Sequence, residues 1–136
     1  MLDVLDKCHL SKLVTELGGL EGNVGEKGCN LSAGQKQLLC LARALLKKSK
    51  IICIDEATAS VDLETDKLIQ VTIREEFVKS TVLTIAHRMN TIIDSDRVLI
   101  MNAGSVLEFA PPQELLADSS SEFYALVNEN SGASAE

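Results

Sequence analysis

Apolar stripes and short apolar runs alternate along the chain, and each kind predicts a different element. Apolar residues at helical spacing predict helices, while short β-branched runs bounded by turn residues predict strands. The order strand, helix, strand, helix, strand predicts an α/β fold with a parallel sheet covered by helices. The predicted helices are 2–17, the segment from Ser32 through Leu45, 63–78, 111–116 and 121–128, and the predicted strands are 51–54, 81–85, 97–101 and 105–109.

Two of the predicted strands are apolar almost throughout. Residues 51–54 are Ile-Ile-Cys-Ile, a continuous apolar run that is typical of a strand buried on both faces of a parallel sheet. Residues 81–85 predict a second buried strand in the same way. Further along, Asn102, Ala103 and Gly104 are turn residues that predict a hairpin between the last two strands.

Charge and cysteine usage exclude several classes of protein. The 136 residues carry 13 basic and 20 acidic side chains, a net charge of -7. The basic run at 47–50 is interpreted as a solvated helix end, so we expect no nucleic-acid partner. No stretch approaches the roughly 20 apolar residues of a membrane span, so no transmembrane segment is predicted. The cysteines form no C-x-x-C pair and are interpreted as buried, reduced thiols of a cytosolic protein; they are Cys8, Cys29, Cys40 and Cys53.

Polar residues that could act in catalysis or metal binding follow two of the predicted strands. Asp55 and Glu56 come directly after the first strand, and His87 lies just past the second. Ligands of parallel sheets bind beyond the carboxyl ends of the strands. There an aspartate can hold Mg²⁺ and a glutamate can deprotonate a water molecule. The residues alone leave another interpretation open, in which the acids cap the following turn and the histidine is an ordinary polar residue.

A helix start at Ser32 is the second chemical candidate. Ser32 can cap the helix that follows, and Gln35, three residues later, completes a capping box. A helix N-terminus with a bare Gly34 and a hydroxyl group also suits an anion, because backbone N–H groups and the helix dipole favour negative charge there. Taken alone, this segment is better explained as a capped helix without a ligand.

Four segments of the chain combine into a wider pattern. Residues 31–35 are Leu-Ser-Ala-Gly-Gln and lead into 37–46, residues 51–56 are Ile-Ile-Cys-Ile-Asp-Glu, residues 59–62 are Ala-Ser-Val-Asp, and residues 86–88 are Ala-His-Arg. In this order and spacing they resemble the signature motif, Walker B strand, D-loop and switch-histidine loop of ABC-type ATPase domains. The resemblance covers roughly residues 2–128. It is strongest to the second nucleotide-binding domain of C-subfamily transporters, the multidrug-resistance-associated group.

The resemblance implies a fold, cofactors and partners. The fold would be a P-loop NTPase-like α/β structure, with three layers and helices on both faces of a parallel sheet. The cofactors would be ATP and Mg²⁺, and ATP hydrolysis would be coupled to export through a membrane. The partners would be a second ABC ATPase domain bound head-to-tail and the transmembrane domains of a parent transporter, with this domain at the cytoplasmic face of the membrane.

The family's functional residues fall into two groups in this sequence. In the first group, Asp55 would coordinate Mg²⁺, Glu56 would be the general base and His87 would contact the γ-phosphate. The second group would act on ATP held by the partner domain, with Asp62 linking the two composite sites. Its other members are Ser32, Gly34 and Gln35.

The sequence departs from the family pattern in two places. Ala33 stands where the family most often has glycine, and no G-x-x-x-x-G-K-[ST] phosphate-binding motif occurs. We therefore expect residues 1–128 to be a partial domain, truncated at its N-terminus and lacking the Walker A strand and loop. Within it, 1–50 would end the helical subdomain with the signature helix, and 51–128 would run from Walker B through the core. Residues 129–136 are predicted to be a frayed tail.

The missing motif leaves the activity of the chain open. The parent domain is expected to be an ATPase, whereas the chain alone is expected to be inactive and poorly stable. In the family's sheet, the Walker A strand lies between the strands matching 81–85 and 97–101, so both would become exposed edges. Two alternatives are a non-catalytic product that acts only as an interaction partner, and an ABC-type ATPase that is not part of a transporter.

Overall fold

The computed structural model describes residues 1–55, 61–85 and 89–132. The chain divides into two compact units, Met1–Ile85 and Ala86–Glu136. The elements of the first unit are α1 (Leu2–Lys7), α2 (Ser11–Glu16), a 3₁₀ turn (Glu26–Gly28), α3 (Ala33–Lys47), β1 (Ile51–Asp55), α4 (Leu63–Glu76) and β2 (Thr81–Ile85). Those of the second unit are α5 (Met89–Ile93), β3 (Val98–Asn102), β4 (Ser105–Ala110), α6 (Pro112–Ala117) and α7 (Glu122–Gly132).

The first helical segment is broken at His9. The sequence predicted one helix over 2–17, but α1 and α2 are separate because His9 has a φ of 57°, in the left-handed region that ends a right-handed helix. The break lets Cys8 and Leu10 enter the core, where they are 0% and 1% exposed. His9 itself is exposed, and the prediction of one continuous helix over 2–17 is wrong.

Helices α3 and α4 supply the centre of the first unit. The two helices pack against each other. Leu38 and Leu41 of α3 are buried, as are Ile69 of α4 and Phe77 at its end. These positions belong to the stripes that the sequence predicted, and both helices are confirmed.

Strands β1 and β2 pair in parallel, with Ile52 opposite Val82 and Cys53 opposite Leu83. Ile52 and Ile54 join the core formed by the helices, and Val82 packs against it. The alternate positions point to the other face, which is open: Ile51 and Ile85 are each 63% exposed. The prediction that these strands are buried on both faces is wrong, because in this unit the helices cover one face of the sheet.

The second unit is built on a hairpin. Strands β3 and β4 pair antiparallel, and the turn between them is Ala103-Gly104, with φ values of 49° and 79°. Val98 and Leu115 form a small core with Phe123, which is 1% exposed. The predicted hairpin and the helix that starts at the prolines are confirmed. Helix α7 continues to Gly132, four residues beyond its predicted end.

The α/β class predicted from the sequence is confirmed. The described strands form one parallel pair and one antiparallel pair, and helices accompany both. The cysteine interpretation holds in part, because all four thiols are free but only Cys8 is buried. Among residues 1–55, 61–85 and 89–132, no helix combines the length and apolar character that a membrane crossing requires.

Candidate functional site

The start of α3 is a complete capping box. The Ser32 hydroxyl accepts a hydrogen bond from the backbone N–H of Gln35 at 3.1 Å, and the backbone N–H of Ser32 donates to the Gln35 side-chain oxygen at 2.8 Å. Because the hydroxyl is an acceptor in this bond, its own hydrogen stays available to a further acceptor. Ser32 and Ala33 are exposed. Within the described ranges, the backbone N–H groups of Ala33 and Gly34 donate no hydrogen bond.

Gly34 has a different environment from its neighbours, because it is buried against α4. A β-carbon at this position would lie 3.1 Å from Thr65 Cβ and 3.2 Å from Thr65 Oγ1, and nearer still to Thr65 Cγ2. These separations are shorter than ordinary van der Waals contact. A glycine at position 34 thus allows the start of α3 to approach Thr65 closely.

Thr65 is in turn bound to Asp62, the N-cap residue of α4. One carboxylate oxygen of Asp62 accepts the backbone N–H of Thr65 at 3.0 Å, and the other accepts its hydroxyl at 2.8 Å. These bonds, the backbone one foremost, lower the pKa of the Asp62 carboxyl. These hydrogen bonds therefore favour the charged form of the Asp62 carboxyl, so the cap is present at neutral pH. It weakens only in acid, as the pH falls through that lowered pKa.

Asp55 ends β1 at its carboxyl edge. It lies opposite Ile85 of β2, and its side chain is exposed. An exposed carboxylate at this edge fits a hard cation such as Mg²⁺, which keeps several of its waters. In the described part of the chain, no three histidine, cysteine, aspartate or glutamate side chains form a group that could hold a metal.

The remaining predicted site residues lie outside the described residues. They are Glu56 and His87, and their assignment stays a prediction. Of the others, Ser32, Gly34 and Gln35 are brought together at the start of α3, and Asp62 joins them through Thr65. Sequence reasoning missed Thr65. The spacing Asp62-x-x-Thr65 before an apolar stripe is a helix-capping pattern and could have identified the residue.

Comparison with known proteins places these motifs in a family. The sequence profile described as "ABC transporter" matches residues 5–59, which include the capping box and Asp55. The chain is 58% identical over 123 residues to mouse "ATP-binding cassette sub-family C member 10", an alignment of 90% of this chain and 8% of that protein. The chain belongs to the ABC transporter family. The resemblance to C-subfamily transporters is thereby confirmed.

Other relatives agree with this placement. The yeast "Bile pigment transporter 1" (Saccharomyces cerevisiae) is 60% identical over 107 residues, which is 79% of this chain and 7% of that protein. Rat "ATP-binding cassette sub-family C member 2" is 54% identical over 126 residues, which is 92% of this chain and 8% of that protein. The chain thus spans less than a tenth of the length of each of these three relatives.

Proposed function

We propose that this chain forms part of the ATP-binding and ATP-hydrolysing module of an ABC exporter of the C subfamily. The observation that carries the proposal is the capping box at the start of α3, where the hydroxyl of the exposed Ser32 and the backbone N–H of the exposed Ala33 are available to an anion. Because the chain belongs to the ABC transporter family, we infer that this anion is a phosphate group of a nucleotide. The names of the relatives, "ATP-binding cassette" and "transporter", support the same function.

The Ser32 end of α3 acts on ATP held by a second ABC domain. The Ser32 hydroxyl and the N–H of Ala33 donate to the γ-phosphate when the two domains close head-to-tail. Gln35 holds the Ser32 backbone in place through its 2.8 Å hydrogen bond, so the donors are arranged before the nucleotide arrives. Donors that are already in position lose no further conformational freedom on binding.

A second group of residues acts on the nucleotide at the edge of the parallel strands. Asp55 holds Mg²⁺ through its exposed carboxylate, Glu56 accepts a proton from the attacking water, and His87 donates to the γ-phosphate. Bound Mg²⁺ neutralises negative charge on the phosphates. One chain therefore contributes to two composite sites, and Asp62, the N-cap residue of α4, links them across the interface.

The names of the relatives support a role for this module in a transporter. We infer that it associates with transmembrane domains at the cytoplasmic face of a membrane and couples ATP-driven closure to transport. The third interpretation from the sequence, an ABC-type ATPase outside a transporter, has no support among the relatives described above, which are C-subfamily members or a named transporter.

A second candidate function is favoured by one sequence observation. The 136 residues contain no G-x-x-x-x-G-K-[ST] motif, whose backbone N–H groups and lysine bind nucleotide phosphates. By itself the chain would then offer the Ser32 surface to a partner's ATP as an interaction module, without turnover of its own. This candidate uses the same residues on α3 as the first.

The deciding experiment separates the two nucleotide sites of a full-length transporter that contains this sequence. Ser32→Ala removes the hydroxyl, while Ser32→Thr retains both hydroxyl and cap and serves as the matched control. With a photoreactive ATP analogue and vanadate trapping, we expect Ser32→Ala to lose trapping at the site whose phosphate loop belongs to the partner domain. Loss confined to the site containing Asp55 would contradict the assignment.

A further inference from the structure

Thr65 stands between two functional segments of the first unit. Its backbone N–H and hydroxyl are both bound by the Asp62 carboxylate, at 3.0 and 2.8 Å. Its methyl group faces the α-carbon of Gly34, where a β-carbon would overlap it. The contact therefore runs from the D-loop aspartate, through one side chain, to the helix start that carries Ser32.

The chemistry of threonine makes this arrangement rigid. Threonine is branched at its β-carbon, so a hydroxyl held in one direction also fixes the direction of the methyl group. Thr65 cannot rotate its methyl away from Gly34 without breaking the hydroxyl bond to Asp62. The space between Thr65 and Gly34 is too small for even one added carbon, so a displacement of the Thr65 side chain by Asp62 is passed to the start of α3.

We propose that Thr65 is a positioning residue that fixes the capping box of α3 relative to the D-loop aspartate of the same chain. The proposal rests on the proposed function, in which Ser32 and Asp62 face composite nucleotide sites. The contact through Thr65 connects the two functional segments within one domain, in addition to the contacts that two head-to-tail domains make with each other. When closure moves Asp62, Thr65 carries the movement to the Ser32 donors, and the two sites respond together.

The test in a full-length transporter uses variants that separate the two halves of the Thr65 side chain. Thr65→Val keeps the methyl and loses the hydroxyl bond to Asp62, and we expect the kcat of ATP hydrolysis to fall about tenfold with the KM for ATP unchanged. Thr65→Ser keeps the hydroxyl bond but loses the methyl contact with Gly34, and its kcat is expected to lie between those of wild type and Thr65→Val. A Thr65→Val protein with wild-type kcat overturns the proposal.

Gly34→Ala provides the complementary test by rescue. The added β-carbon collides with the Thr65 methyl, so kcat should fall at least about tenfold. Thr65→Ser removes that methyl, and the Gly34→Ala/Thr65→Ser protein should recover several-fold over Gly34→Ala alone. Lys36→Ala, at an exposed position of α3, is the control and should show no such interaction with Thr65→Ser. Equal kcat for the single Gly34→Ala variant and the double variant overturns the proposal.

A stability measurement distinguishes failure of this inference from failure of the proposed function. Urea unfolding of the 136-residue chain needs no ATPase activity. In it, Gly34→Ala should lower the unfolding midpoint less in the Thr65→Ser background than in wild type, because contacting residues are not additive. If the coupling is present but the wild-type transporter shows no ATP hydrolysis, the proposed function fails and the contact stands. If the transporter hydrolyses ATP and the midpoints are additive, the Thr65 inference fails alone.

Discussion

Cys53 and Leu83 lie opposite each other in the parallel register of β1 and β2, on the face of the sheet that the helices leave open. Leu83 is 56% exposed, and Ile51 and Ile85 on the same face are each 63% exposed. Exposed apolar groups on short, neighbouring strands form a patch of the kind that promotes association between chains. The net charge of -7 opposes association without covering the patch.

We expect the purified 136-residue chain to associate through this open sheet face. Leu83→Lys should shift the chain toward monomer in light scattering, since a charge at the centre of the patch resists burial. Leu20→Lys changes a side chain that is 50% exposed but lies outside the strands, and it should leave association unchanged. A wild-type monomer with a cooperative melt above ~55 °C, within the usual range for stable mesophile domains, would contradict the expectation.

Cys8 gives a prediction about alkaline pH. Burial foremost, and the nearby Glu76 carboxylate in addition, raise the pKa of the Cys8 thiol from its ordinary value of 9.0 to about 11. Between these values the unfolded chain has lost a proton that the folded chain keeps, so rising pH favours unfolding. The urea midpoint should therefore fall between pH 9 and 11 more steeply in wild type than in Cys8→Ala. Parallel slopes for the two proteins would show that the thiol is not protected by folding.

The sequence predicted the positions of helices and turns better than it predicted which faces of the strands are buried. The helix at Ser32 and the hairpin at Ala103-Gly104 follow from local chemistry, namely a capping box and positive-φ turn residues, and the structure has both. The strands at 51–54 and 81–85 were predicted as buried because apolar composition indicates what a strand prefers to contact. It does not indicate which contacts this chain supplies, and here one sheet face is open.

The candidate site shows the same division. The capping pair Ser32 and Gln35 is visible in the sequence as a three-residue spacing, whereas the contact between Gly34 and Thr65 joins positions 31 residues apart and depends on how α3 packs on α4. The break at His9 also depends on packing, because it lets Cys8 and Leu10 enter the core. Packing between residues that are far apart in the sequence leaves no local sequence pattern from which it could be predicted.

Glu108 of β4 provides a prediction for the second unit. Its carboxylate accepts the backbone N–H groups of Glu122 and Phe123, at 2.9 and 3.2 Å, and the hydroxyl of Ser121 at 3.0 Å. It therefore caps α7 from a strand. Glu108→Ala should destabilise the docking of α7 by about 1.5–3 kcal/mol, the usual range for hydrogen bonds to a charged group.

Hydrogen exchange of the α7 amides measures this effect directly. Glu108→Ala should lower the protection of the amides of α7, and Glu108→Gln, which keeps one oxygen acceptor, should lower it less. Glu129→Ala, at an exposed position of the same helix, is the matched control. Protection unchanged in Glu108→Ala would mean that the hydrophobic contacts of Phe123 alone hold the helix.

The isolated chain is expected to bind Mg²⁺·ATP weakly. Affinity in P-loop enzymes comes from backbone N–H groups and a lysine around the β- and γ-phosphates, and the motif that supplies them does not occur in the 136 residues. Asp55 offers a single exposed carboxylate, which adds little for an ion that retains its waters. Calorimetry with purified chain is the measurement. Micromolar affinity with a stoichiometry near one would contradict the prediction.

In a full-length transporter, Glu56→Gln should reduce ATP hydrolysis by about 10²–10⁴-fold, the usual contribution of a general base. The amide keeps the size of the side chain and loses its basicity, so ATP-driven closure of the domains should survive. Asp55→Asn is the comparison, because a neutral amide is a poorer ligand for a hard cation. It should raise the Mg²⁺ concentration needed for half-maximal activity, whereas Glu56→Gln should leave that concentration unchanged. A Glu56→Gln transporter that retains most of the wild-type rate would show that another group accepts the proton.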